Sequence, residues 1–261
     1  MIPLLRKEKI KKKLLENKSV SVIELSEFFE VSHETIRRDL KLLDEEGVAI
    51  RTHGGAVLAD SVVSRVTSEE LKHIFVDEKK IIADFVKKHV KSRDCIFVDS
   101  STTAYYVIEA LQDIPLKIVT NSIETMSYIS KNDMHELIGI GGVISKNGRC
   151  FVGTQAQKML SNYYFDYAFI SCRTLELENG AMDSSDEEAE IKRLALKHSK
   201  NIWLLADHTK FDKISFAKIL DLNEIDYLVT DKKLSKKWSK YFEKNNIKYY
   251  DNTKKENDFK E

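Results

Sequence analysis

The chain has no net charge, with 42 basic side chains balanced by 42 acidic ones in 261 residues. A broad, undirected footprint on nucleic acid or on an anionic membrane would show as a basic excess, so any DNA contact must come from charge placed locally. Cysteine is scarce. Cys95, Cys150 and Cys172 lie far apart, with no Cys-x-x-Cys and no Cys/His pair at ligand spacing. That excludes a disulfide framework and a zinc site, and it fits a reducing cytoplasm. Long apolar runs are missing too: none reaches the roughly 18 residues that cross a bilayer, and the basic start lacks the apolar stretch of a signal peptide. A soluble cytoplasmic protein is expected, with no membrane partner, metal or cofactor. No internal repeat is visible.

What is present falls into four parts. Residues 1–58 are rich in helical periodicity, 59–73 lose both the period and the large apolar side chains and read as a linker, 74–251 alternate β-rich and amphipathic stretches, and 252–261 form a polar tail. The length suffices for two cores.

In residues 1–58, eleven Lys/Arg meet ten Asp/Glu, but six of the basic residues crowd into "RKEKIKKK" from Arg6 to Lys13. A first helix is expected over 6–16, with Ile10, Leu14 and Leu15 inward and its lysines outward. Ser21 with Glu24 forms a capping box for a second helix carrying Ile23, Leu25, Phe28 and Phe29. After three turn residues Ser32 caps a third helix, which ends at Gly47. Ile36, Leu40 and Leu43 recur at i, i+4 and i+7 and form its core stripe. That stripe forces Arg38, Glu34 and Lys41 to the opposite side and leaves His33 and Arg37 on a flank.

A capped helix after a short turn has the geometry of a recognition helix entering a major groove. Arginine there can fork to guanine or to phosphate. Following Gly47, 48–51 and 56–59 read as a hairpin around Gly54 and Gly55, which makes the whole a winged helix-turn-helix. The candidate DNA contacts are Ser32, His33, Thr35, Arg37, Arg38 and Lys41 on the helix, and Arg51 and His53 on the wing. An isolated Arg-Arg pair would usually be a solvated face; the ordered set of caps, turn and wing favours DNA.

From residue 74 the runs "CIFVD", "LKIVT", "ELIGI", "DYAFIS", "NIWLLA", "YLVT" and "IKYY" read as strands. Helical stretches expected at 78–89, 102–111, 154–164, 186–199 and 235–245 lie between most of them. Such alternation predicts an α/β, doubly wound, mainly parallel sheet, with 143–153 as a hairpin turning near Asn147 and Gly148. Ligands of such sheets bind beyond the carboxyl ends of the strands. Those ends carry Asp99, Ser100, Ser101, Thr102 and Thr103; Thr120, Asn121 and Ser122; Gly141 and Gly142; and Asp207 with Lys210. Hydroxyls and helix-end amides suit phosphate, the aspartates suit sugar hydroxyls, and Lys210 suits negative charge. Taken singly, such a cluster reads more readily as simple N-capping; four of them converging on one edge favour a ligand. Cys172 reads as a small buried residue and His208 as a hydrogen-bonding one. The segment 171–193 is long for a connection and therefore a candidate functional loop.

"VSHETIRRDLKLLDEEGVAIRTHGGAV" resembles the DeoR-type winged helix-turn-helix, departing only at Asp44 and Ala49. "DSSTT", "TNS", the Gly-Gly pair, "CRT…ENG…EAEIKR" and "LADHTKFDKISF" are similar to the sensor domain of the same family, with Ser101 and Thr174 where glycine is common. The resemblance implies a transcriptional regulator, most often a repressor, with a sensor fold like ribose-5-phosphate isomerase and coenzyme A transferases. It further implies a phosphorylated-sugar effector, assembly as a dimer or tetramer on operator DNA, and Arg173, Glu188 and Lys192 in the pocket. The alternative reading is an enzyme of that fold, with Asp99, Glu188 or Asp207 as general base. A metal-dependent redox regulator is disfavoured by the cysteine spacing.

Overall fold

Two units, Met1–Phe75 and Val76–Glu261, make up the chain. The computed structural model describes residues 3–17, 19–58, 72, 74–146 and 150–253. Apart from residue 72, the expected linker lies outside the described residues, as do the turn at Asn147 and Gly148, most of the polar tail and the side chain of Leu15.

The first unit runs α1 (Pro3–Asn17), β1 (Ser19–Ser21), α2 (Val22–Phe29), α3 (His33–Glu45), β2 (Ala49–Arg51) and β3 (Gly55–Leu58). Ile10 and Leu14 of α1 meet Leu25 and Phe29 of α2 and Ile36, Leu40 and Leu43 of α3 in one core, sealed by Val48, Ala49 and Ala56. Ser32 Oγ accepts from Thr35 N at 3.3 Å, and Gly47 takes the left-handed conformation after α3 with φ 68°.

Three features differ from expectation. Helix α2 starts directly after β1, so its buried spacing is Val22, Leu25, Ser26 and Phe29, while Ile23 and Phe28 are 58 % and 60 % exposed. The Ser21 hydroxyl caps Ile23 N, one amide earlier than in a capping box. Finally, β1 makes the wing three-stranded, in the antiparallel order β1-β3-β2. That strand demands a glycine at position 55, because a Cβ there would lie 1.9 Å from the Val20 carbonyl oxygen.

Two charges take unexpected positions as well. Arg6, counted among the basic cluster, is buried, its Nε 2.5 Å and Nη2 3.3 Å from the carboxylate of buried Asp39 on α3. Lys7 binds Glu46 at 2.6 Å. Lys9 and Lys12 are exposed, and Lys13 Nζ sits 3.9 Å from the ring centroid of Phe28.

The second unit is built on seven strands: β4 (Cys95–Val98), β5 (Lys117–Thr120), β6 (Glu136–Gly139), β9 (Phe165–Ser171), β12 (Ser199–Leu205), β14 (Tyr227–Val229) and β15 (Lys248–Tyr250). Every pairing in the order β15-β14-β12-β9-β4-β5-β6 is parallel. Side chains alternate between two buried faces. Ile96, Val98, Ile118, Phe169, Trp203 and Leu205 face a core shared with α4 (Val76–Lys87), α5 (Thr102–Ala110) and Ile129 of α6 (Ile123–Ile129). Phe97, Val119, Ala168, Ile170, Leu204 and Leu228 face a second core with α7 (Thr154–Leu160), α8 (Asp186–Lys197) and α9 (Lys236–Lys244). Helices therefore cover both faces, and the sheet is doubly wound. From β4 the chain winds one way through β5 and β6, then returns to β9 on the other side. The topological switch point lies between β4 and β9.

The hairpin is β7 (Val143–Ile144) against β8 (Phe151–Val152). The segment before α8, expected as a long loop, instead carries two short strands. β10 (Thr174–Glu176) and β11 (Gly180–Asp183) form a hairpin, and β13 (Ala217–Leu220) completes a small antiparallel sheet. Gly180, at φ 76°, turns it under the Leu220 carbonyl, 2.1 Å from where a Cβ would sit.

Candidate functional site

In the first unit a shallow concavity is lined by Ser32, Glu34, Thr35, Arg37, Arg38 and Lys41 of the α3 region together with Arg51 of the wing. The fold thus brings six of the eight candidate DNA contacts to one surface; His33 and His53 are exposed outside that lining. The two arginines are not equivalent. Arg37 Nη1 lies 3.7 Å from Glu34 one turn back, and Lys41 lies 3.6 Å from Glu45. The Arg38 side chain makes no ion pair or hydrogen bond with any described residue.

In the second unit the polar strand ends are first of all caps. Ser101 Oγ accepts from Ala104 N at 3.1 Å, Ser122 Oγ from Thr125 N at 3.2 Å, Ser185 Oγ from Glu188 N at 3.3 Å and Asp207 Oδ1 from Thr209 N at 2.9 Å. "TNS" is largely structural, since Thr120 Oγ1 accepts from Ser122 N and Asn121 Nδ2 donates to the Phe151 carbonyl, yet buried Asn121 Oδ1 has no partner. Gly142 lets the chain pass Val152, whose carbonyl would be 2.7 Å from a Cβ, while a Cβ on Gly141 would meet open space.

The switch point holds a buried charge network. Asp99 accepts from Ser101 N and Ser171 N, both at 2.9 Å, which ties the end of β4 to the end of β9. Lys192 of α8 reaches the same place. Its Nζ lies 3.1 Å from Asp99 Oδ2, 2.7 Å from Asp183 Oδ2 and 2.8 Å from the Ser171 carbonyl oxygen. The ammonium donates to Asp183 and to the Ser171 carbonyl, and Asp99 faces it as an ion pair. Burial pulls Lys192 toward its neutral form, but Asp183 and Asp99 outweigh it and hold the ammonium above its usual range. Burial pushes Asp183 up, and Lys192 together with the Ser184 amide carries it below the usual range. Glu188 is raised, chiefly by burial, against the pull of Lys192. Cys150, beside Ser145 at 3.3 Å and near Glu188, is pushed up by burial to about 11.

Arg173 lies just past β9. Burial lowers its guanidinium, its Nε is buried with no partner, and no described residue accepts a hydrogen bond from its side chain. Half-buried, with five donors unused, it has the chemistry of a site for an anion. In the turn after β12, Lys210 Nζ is 3.8 Å from buried Asp207. Burial raises the Asp207 carboxyl, but Lys210, Thr209 and Lys79 together bring it below the usual range. Cys172, pushed by burial to about 12, feels both Lys210 and Lys192, which places the two charge groups around one strand end. As a thiol it is inert at neutral pH.

Sequence reasoning missed Asp183, Asp231 and Lys79. His208 Nδ1 lies 2.8 Å from Asp231 Oδ2, and its backbone N–H donates to Oδ1. Glu78 brings a third potential ligand atom within 4.8 Å of this pair, but Lys232 Nζ stands 3.1 Å from His208 Nε2, an ammonium where a cation would have to approach. Lys79 was legible, since it stands three and four residues before buried Ile82 and Ala83 on the apolar stripe of α4.

A winged helix-turn-helix on one unit and a parallel α/β sheet with a buried charge network at its switch point on the other define the class of a two-unit DNA-binding regulator. Residues 6–62 match the DeoR-like helix-turn-helix domain and residues 74–232 the DeoR C terminal sensor domain. An HTH-type transcriptional regulator of Bacillus subtilis is 35 % identical over 93 % of this chain and 94 % of its own length. The L-fucose operon activator of Haemophilus influenzae is 31 % identical over 87 % and 91 %, and the HTH-type transcriptional repressor GlcR of Bacillus subtilis is 31 % identical over 84 % of each. The chain belongs to the DeoR family of transcriptional regulators. Among solved structures, ribose 5-phosphate isomerase A of Methanocaldococcus jannaschii is similar at 16 % identity, TM-score 0.40, over 52 % of this chain and 55 % of that one, too loosely to say anything of ligand or activity. No helix among the described residues is long and apolar enough to cross a membrane.

Proposed function

We propose that this protein is a cytoplasmic repressor of sugar-related genes that binds double-stranded operator DNA as a homodimer or homotetramer and is governed by a phosphorylated sugar held at the β4/β9 switch point. Arg173 carries the effector half of this reading: a half-buried guanidinium that feels Asp183 but has no side-chain hydrogen bond among the described residues, at the strand end where α/β sheets take ligands, is suited to a phosphate. Lys210, Asp207 and Asn121 Oδ1 complement it with charge and with acceptors for hydroxyls. The capped start of α5, with Ser100 to Thr103, offers amides. Gly141 leaves room for close approach. Glu188 lies near Lys192, whose ion pairs with Asp99 and Asp183 make it part of the frame of the site rather than a ligand contact. Relatives named for the L-fucose operon and as repressors support both the sugar and the gene-control parts.

On the DNA side Arg38 reads a base and Arg37, restrained by Glu34, holds a phosphate. Ser32, His33, Thr35 and Lys41 complete the helix contacts, and Arg51 and His53 place the wing on the neighbouring backbone. For induction the effector must favour the conformation that DNA disfavours.

The test is a thermal-shift screen against pentose and hexose phosphates, followed by operator titration with the hit. Ligand at a hundredfold its Kd stabilises by about 2.7 kcal/mol. Arg173→Gln should lose that stabilisation and keep operator affinity. A panel without any stabilising sugar phosphate, or an undiminished response in Arg173→Gln, sinks the effector assignment.

A further inference from the structure

Helix α9 is anchored by Trp238 and Phe242, which are buried in the second core. At about 100° per residue, Lys236, Lys237, Lys240 and Lys244 fall on the opposite side of the helix, within an arc of roughly 100°. All four are exposed. Lys232 and Lys233 precede the helix and Lys248 follows it on β15, so residues 232–248 hold seven lysines against one acid, Glu243. In a chain without net charge this segment is a strong local excess.

The neighbouring acids do not cancel it. Asp231 and Asp251 are 2 % and 4 % exposed, the first bonded to His208 and the second to the Leu234 amide and the Thr253 hydroxyl. Asp212 takes Lys237 at 2.7 Å, and Glu243 accepts from the Tyr249 hydroxyl at 3.2 Å. Lys233, Lys236, Lys240 and Lys244 make no ion pair with any described residue.

With its apolar side committed to the core, the helix has no hydrophobic face to lay into a lipid surface. What it offers is a row of point charges. Lys236, Lys240 and Lys244 follow one another about 6 Å apart along the axis, and ammonium groups on flexible stems hold phosphates without reading sequence. The three span about 12 Å, a length over which one strand of a duplex carries about three phosphates.

We propose that the exposed face of α9 is a second DNA contact, a lysine row that engages the phosphate backbone of duplex DNA and adds affinity without base preference. Duplex DNA is the occupant because the chain is a DNA-binding regulator, and the polyanion it works on matches this face in charge. The proposal is separate from the assignment of α3, whose failure would show as unchanged base preference in Arg38→Ala.

The experiment uses the full chain and a random-sequence duplex, titrated by fluorescence anisotropy between about 50 and 200 mM salt. Each phosphate contact contributes about 0.9 to the slope of log affinity against log salt. Combining Lys236→Gln, Lys240→Gln and Lys244→Gln should therefore flatten that slope by about 2 to 3 and weaken binding more than about tenfold at 100 mM salt. Arginine at the same three positions keeps the charge and should restore both. An unchanged slope in the glutamine variant overturns the proposal. A loss confined to phosphatidylserine-containing vesicles, with DNA binding intact, also overturns it and assigns the face to an anionic membrane. The unaltered protein gives a second measurement. Duplex should shield Lys236, Lys240 and Lys244 from acetylation by a reactive ester, read by mass spectrometry, while exposed Lys131 stays open to it. Equal labelling of the three with and without duplex overturns the proposal whether or not the glutamine variant folds.

Discussion

Replacing Arg6 by alanine should unhinge the DNA-binding unit from within its core. Arg6 and Asp39 are 6 % and 4 % exposed and joined at 2.5 Å, and Asp39 lies between Ile36 and Leu40 on the buried side of the helix that carries Arg37 and Arg38. Removing the guanidinium strands a carboxylate in the core. Breaking one member of a buried pair costs about 3 to 5 kcal/mol, most of it the uncompensated charge, whereas replacing both members by apolar side chains of similar volume is often neutral or stabilising. Arg6→Ala and Asp39→Ala should therefore each lower the free energy of opening of α1–α3 by about 3 kcal/mol or more. Arg6→Met with Asp39→Leu together should recover most of it. Hydrogen exchange of the α3 amides, read by mass spectrometry in the full chain, isolates this unit from the second one. A loss below about 1 kcal/mol in the single variants, or a double variant as open as either single, would refute the reasoning.

Arg38→Ala should weaken operator binding by about 1 to 3 kcal/mol and relax specificity at one base pair, whereas Arg37→Ala should weaken all sequences alike; gel-shift titration against point-substituted operators distinguishes the two, and equal, sequence-blind losses would remove Arg38 from base reading. Gly55→Ala places a methyl group 1.9 Å from the Val20 carbonyl, so operator affinity should collapse while the thermal transition of the second unit stays put; intact binding would show that the wing gives way easily. The folded Asp183 carboxyl titrates below its unfolded value, so its contribution is present at neutral pH and is lost as pH falls through the unfolded and then the folded value, below about pH 4. In acid melts Asp183→Asn should flatten that part of the pH dependence, and an unchanged acid limb would place the sensitivity elsewhere.

All seven strands of the parallel sheet were readable, the central ones because both their faces are buried, which leaves near-continuous runs of β-branched and aromatic residues such as "CIFV" and "NIWLL". The recognition helix was readable through its caps and its Ile36–Leu40–Leu43 stripe. Asp39 was not: its position on that stripe was visible, but only the arrival of Arg6 from 33 residues away makes a carboxylate tolerable there. The small sheet β10-β11-β13 escaped for a related reason. Strands of three and four residues, "TLE", "GAMD" and "AKIL", carry almost no period, and their pairing partner lies across an intervening helix and strand. Helix α6 is seven residues long and was too short to stand out between strands. At the pocket, residue types were legible while their assignments were not, since whether Lys192 meets a ligand or two aspartates depends on distances that no spacing encodes.

Because the Lys192 ammonium bonds to the ends of β4, β9 and β11 at once, those three segments cannot drift independently. A ligand entering above them finds walls already in place and gives up little entropy of its host on binding. Rigidity also localises any response to the proposed effector, which falls to parts this joint does not hold, such as the turn that carries Lys210.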